Sequence, residues 1–129
     1  MPIRCGKGNV GWDVHLHEIK NTTGQVEFYR TGIAIEPPPG YYFLMFPRSS
    51  LSKTDYIMAN GVAVLDPCFT GEVLVALRKC CPDARPLELP GRYVQLVPQQ
   101  FFSDNLEAVP ADELSSTERG AGGFGSTGV

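Results

Sequence analysis

Apolar residues in this chain come in short runs interleaved with polar ones, and no stretch sustains the 3.6-residue period of an amphipathic helix. Segments rich in Val, Ile, Leu, Tyr and Phe are set off by glycine and proline, the pattern of an all-β chain. The pattern predicts six strands: Trp12 to His17, Val26 to Ile35, Tyr41 to Phe46, Val62 to Leu65, Glu72 to Leu77 and Arg92 to Phe101. Pro37, Pro38, Pro39 and Gly40 form a tight reversal between the second and third. At most one short helix is expected, a turn near Ser50. A β-rich body is assigned to residues 1–114. From Ser115 the sequence STERGAGGFGSTGV, residues 115–129, turns polar and then glycine-rich, and such a tail does not bury enough surface to order without a partner.

Alternation assigns faces within the strands. In the first, Asp13, His15 and His17 share one face and Trp12, Val14 and Leu16 the other. A carboxylate and two imidazoles suit a transition metal, and they equally suit the solvated face of a half-buried strand. In the last, Arg92, Val94 and Leu96 are expected on one face and Tyr93, Gln95 and Val97 on the other, where Gln95 needs a hydrogen-bond partner.

Composition narrows the function classes. A chain of 129 residues makes one domain with a core of little margin, so self-association would help it. A net charge of −3 gives no footprint for the phosphate backbone of a nucleic acid, although a few arginines suffice for a small anion. No apolar run reaches the ~18 residues of a membrane span, and MPIRCGKGNV lacks the apolar region of a signal peptide. A soluble, intracellular protein with no membrane partner is expected. Cys5, Cys68, Cys80 and Cys81 include an adjacent pair and no C-x-x-C, so they are expected to be reduced thiols.

Three stretches carry candidate chemistry. ANGVAVLDPCFTG, residues 59–71, reads as a hairpin presenting one acid, Asp66, where Pro67 turns the chain. PRSSLSK sets a serine pair able to cap a short helix beside Arg48, a composition suited to anions. RGAGGFGSTG has Gly120, Gly122 and Gly125 at G-x-G-x-x-G spacing, but without a preceding strand or a following helix it is no dinucleotide site, and without a lysine it is no P-loop. Its Phe124 could stack on a planar base while Arg119, Ser126 and Thr127 reach phosphates.

With GWDV at Gly11 to Val14 and RYVQLV at Arg92 to Val97, these stretches in this order resemble the five motifs of the trimeric dUTPase family, from about Gly11 to Gly128. The resemblance implies a distorted, jelly-roll-like β-barrel and a homotrimer with active sites at its subunit interfaces. It implies hydrolysis of dUTP to dUMP and diphosphate with Mg2+. Carried over by position, Asp66 would deprotonate the water that attacks the α-phosphorus. Asn60 and the hairpin backbone, Ala63 and Leu65 included, would read the edge of uracil, and Phe69 would pack on the deoxyribose. Arg48, Ser49, Ser50 and Gln95 would hold phosphates, and Asp13 a water of the magnesium shell. Phe124 would stack on uracil from the tail of another subunit, with Arg119, Gly125, Ser126 and Thr127 at the terminal phosphates.

Four positions depart from the family. Phe69 stands where Tyr is usual, Ala63 where the hairpin usually has Gly, and Pro90-Gly91 where Gly-Asp is usual. If Ala63 needs a positive φ, its Cβ costs roughly 1 kcal/mol. Two alternatives remain open. One is a relative of dCTP deaminase, against which Ala76 stands where that enzyme's catalytic Glu falls. The other is a dUTPase-like interaction module of weak catalysis, whose Thr127, Gly128 and Val129 resemble the C-terminal ligands of PDZ domains.

Overall fold

The computed structural model describes residues 2–3, 6–102 and 104–125. Among them eight strands run β1 Trp12–Leu16, β2 Glu18–Thr23, β3 Val26–Arg30, β4 Tyr41–Pro47, β5 Tyr56–Met58, β6 Ala63–Leu65, β7 Leu74–Lys79 and β8 Gly91–Gln100. They form two antiparallel four-stranded sheets of order β1-β8-β4-β6 and β2-β3-β7-β5, the jelly-roll-like all-β architecture expected.

The core is where the inner positions of both sheets meet. Val14, Leu16, Met45, Ala63, Val94 and Leu96 come from the first sheet, and Tyr29, Tyr56, Met58, Val75 and Leu77 from the second. Apolar burial on this scale is the main term holding the sheets face to face. A buried polar group joins three strands within it. Glu27 on β3 accepts hydrogen bonds from the hydroxyls of Tyr56 (2.7 Å) and Tyr29 (3.2 Å), with Lys79 Nζ at 3.6 Å. The pairing satisfies the carboxylate that burial would otherwise penalise.

Several elements differ from the sequence pattern. The strand expected over Val26 to Ile35 stops at Arg30, because the Thr31 hydroxyl turns inward to donate to Val73 O at 2.6 Å. The strand expected at Glu72 begins at Leu74, since Glu72 is bonded instead by Arg30 Nη2 (3.0 Å) and the Gly32 N–H (3.0 Å). Strands β2 and β5 were not predicted. All six residues of β2 are exposed, and its hydrogen bonds to β3 replace burial as the reason it forms.

In place of a single helical turn the described residues form two 3-10 turns, Ser49–Lys53 and Ala111–Glu113. The second follows Pro110, whose fixed φ of −58° prepares the entry. The serine pair does not cap the first: Arg48 is its N-cap, and no side chain caps it. Past Gln100 the chain forms no strand among the described residues. Phe102, Leu106, Leu114 and Phe124 along it are exposed.

Candidate functional site at the β1–β4–β8 cleft

Strand β8 lies between β1 and β4, with Gln95 opposite both Asp13 and Phe46. Above this junction opens a cleft of ≈ 520 Å³, lined by Asp13, Arg48, Ser49, Gln95 and Val97 and walled by Gly8, Asn9, Val10 and Gly11. Its main cation is held rigidly. Arg48 Nε lies 2.8 Å from Asp13 Oδ1, and Arg48 Nη1 donates to Arg92 O at 2.7 Å. Fixing a guanidinium at two edges removes rotamer entropy that anion binding would otherwise cost.

The Asp13 carboxylate also receives Arg92 Nη1, at 3.4 Å. Strict alternation would put Arg92 on the opposite face, beside Val94. The β1–β8 ladder shifts between Val14 and His15, where the partners jump from Val94 to Arg92 and leave Tyr93 as an extra residue. That bulge re-aims Arg92 toward Asp13. Asp13 is thus buried between two guanidinium groups, whereas on the same face His15 is half-buried and His17 exposed. His15 and His17 stack instead, with ring centroids 6.3 Å apart. Among the described residues no three His, Cys, Asp or Glu side chains converge as metal ligands, so the three-ligand strand fails.

The expected phosphate ligands divide. Arg48, Ser49 and Gln95 line the cleft, and Gln95 finds its partner by donating from Nε2 to Pro47 O at 3.2 Å. Ser50 is not part of the lining; its hydroxyl donates to Arg92 O at 2.8 Å, the same carbonyl that anchors Arg48. Ser50 therefore braces the arginine. The glycine-rich wall over residues 8–11 escaped the sequence reading, although Gly6 and Gly8, which take positive φ, were a signal for a turn just ahead of the first motif.

Asp66 lies elsewhere in the chain. It is exposed beyond the end of β6 and lines a second cavity of ≈ 260 Å³ with Tyr42, Val64, Pro67 and Phe101. The Phe69 N–H bonds Asp66 O at 3.0 Å, which closes the turn through Pro67 and Cys68. Asn60 is exposed at the hairpin tip, and Leu65 is half-buried. Ala63 is buried opposite Met45, and no non-glycine residue among those described has a positive φ, so the strain considered for Ala63 does not arise. In the tail, Arg119 Nε donates to Gly122 O at 2.7 Å, and Phe124 is fully exposed. Gly125 is exposed, whereas Ser126, Thr127, Gly128 and Val129 lie outside the described residues.

Comparison with known proteins matches the dUTPase family model to residues 1–128. The chain belongs to the dUTPase family. The deoxyuridine 5'-triphosphate nucleotidohydrolase of Desulfitobacterium hafniense (strain DSM 10664 / DCB-2) is 40% identical over 134 residues, covering 100% of this chain and 87% of that protein. Solved dUTPases share the fold. A mutant dUTPase of Staphylococcus bacteriophage 80alpha, solved with dUpNHpp, superposes with a TM-score of 0.75 at 22% identity, covering 100% of this chain and 92% of that one. A mutant dUTPase from phage phi11 of S. aureus, described with a structural Mg(II) ion, gives 0.67 at 18% identity over 90% and 92%. The chain is thus a member of a family of dUTP-hydrolysing enzymes. Among the described residues no helix is long and apolar enough to cross a membrane.

Proposed function

We propose that this dUTPase-family chain hydrolyses dUTP to dUMP and diphosphate at sites shared between the copies of a homotrimer. The observation that supports this most is the division within one chain. The anion cleft around Arg48 and the acid Asp66 line different cavities. A neighbouring copy would bring its Asp66 hairpin to the Arg48 cleft, and a third copy's tail would close over both.

In this reading Arg48, Ser49 and Gln95 grip the triphosphate. Asp66 takes a proton from the attacking water, whose oxygen forms a bond to the α-phosphorus as the bond to the leaving diphosphate breaks. Strand β6 ends its sheet, so its outer edge carries no strand among the described residues. Free backbone donors and acceptors there, with Asn60, suit the edge of uracil, and cytosine's different pattern would leave them unpaired. The Phe69 ring would occupy the space a 2′-hydroxyl needs, and Phe124 with Arg119, Gly125, Ser126 and Thr127 would cover base and phosphates.

The donor set fits magnesium in one way. Among the described residues Asp13 is the only carboxylate on the cleft wall and both its oxygens face guanidinium groups, so it suits an outer-shell water, and substrate phosphates would supply the direct ligands. Bound there, the ion would neutralise phosphate charge and make the α-phosphorus more electrophilic. The test is a turnover assay across dUTP, dCTP, dTTP and UTP with and without magnesium, alongside a mass measurement in solution. Fast, magnesium-dependent turnover of dUTP alone by a trimer is expected. A strictly monomeric active enzyme would sink the shared-site reading, and absent turnover would favour the interaction module.

A further inference from the structure

We propose that Gly11 is a positioning residue for the Gln95 carboxamide, setting it as a hydrogen-bond donor to a phosphate oxygen in the cleft. The inference rests on the assignment of that cleft to the triphosphate. Gln95 stands half-buried at the centre of its sheet, and its Nε2 meets Pro47 O at 3.2 Å. A carbonyl oxygen only accepts, so the end of the amide facing it must be the NH2 group. One N–H is then used within the protein, and the other is left for a ligand.

What fixes the opposite end is Gly11. A Cβ built on Gly11 would overlap Gln95 Oε1 and lie 3.0 Å from Cδ and 3.2 Å from Cβ of the same side chain. The oxygen end of the carboxamide therefore lies against a bare α-carbon. Any side chain at residue 11 must displace the carboxamide oxygen and shift the stem by a few tenths of an ångström, which re-aims the amide that Pro47 O now holds. The conflict is one of space alone, since Gly11 is not among the glycines with positive φ, and alanine there meets no backbone strain. Both residues line the same cleft as Arg48. A neutral donor beside that guanidinium adds direction to a site whose attraction is otherwise a charge.

A double-mutant cycle tests this, reading kcat and KM for dUTP together with thermal unfolding in G11A, Q95A and G11A/Q95A. Each single substitution is expected to lower kcat/KM about tenfold, the loss of one hydrogen bond to a charged group. The double variant should be no worse than Q95A, because without the carboxamide Gly11 has nothing left to position. Multiplying losses in the double variant, or unchanged kinetics in G11A, would overturn the proposal. If Q95A is itself silent, the phosphate role of Gln95 fails, and that failure is distinct from the first. Should G11A not fold, recovery of folding in G11A/Q95A supports the contact, and an unfolded double variant refutes it.

Discussion

Asp13 and Arg48 form the tightest ion pair of the cleft, with Oδ1 and Nε 2.8 Å apart and the carboxylate buried. Replacing Asp13 with asparagine keeps the shape but turns amide donors toward guanidinium donors. Breaking such a pair from one side costs several kcal/mol when both partners are buried, and roughly 2 kcal/mol is expected here because Arg48 is partly solvated. D13N should therefore lower both the melting temperature and kcat/KM for dUTP, the latter by about 10- to 100-fold. A variant with wild-type KM and kcat would show that Arg48 needs no anchor.

Asp66 is exposed and forms no ion pair among the described residues, so removing its charge should spare the fold. D66N should bind dUTP with near-normal affinity by calorimetry and lose turnover by roughly 100- to 10,000-fold, the range for a missing general base. Undiminished turnover would place the base elsewhere.

The ring of Phe69 lies against the bare α-carbon of Gly71, where an added Cβ would stand 3.1 Å from two ring atoms. Its place is thus set by sterics and not by a hydroxyl, so the family's usual tyrosine is dispensable for this contact. F69A is expected to reduce the preference for dUTP over UTP by about tenfold or more in kcat/KM. Intact discrimination would refute the steric account.

Residues 115–125 bury no large side chain, and Phe124 is fully exposed. Truncation before Arg119 should leave the melting temperature and oligomeric state unchanged, yet reduce kcat on the order of 100-fold through lost closure. A shortened chain of full activity would remove the lid role.

Alkali should unfold the protein through the Glu27 cluster. Burial first, then the bond to Glu27, raises the Tyr56 hydroxyl to about 12, and burial with the Glu27 charge raises Tyr29 as well. In the unfolded chain both phenols ionise near pH 10. Between about pH 10 and 12 the unfolded state therefore holds fewer protons than the folded one, and stability falls as pH rises. Chemical unfolding from pH 8 to 11.5 should show this decline, with a shallower slope in Y56F. Equal slopes would clear the tyrosine of any part in it.

The sequence pattern revealed what alternation and turn chemistry control. The inner Val14 and Leu16 of β1, the inner Val94 and Leu96 of β8, the Asp66 turn and the Arg48 segment were all legible. It missed β2 because EIKNTT has no buried face to betray it, and β5 because three residues are too few for a period. It misplaced Arg92 because one extra residue, Tyr93, reverses the faces upstream of it. Ser50 looked like a ligand, and the pattern gave no sign that its hydroxyl donates to the carbonyl that also holds Arg48.

That the acid and the arginine of one chain face different hollows has a genetic corollary. If copies share their sites, a lesion in the hairpin spoils a neighbour's cleft and leaves its own intact. Two dead alleles, one lacking Asp66 and the other Arg48, would then rebuild working centres when expressed together, and either alone would poison a healthy partner only in part.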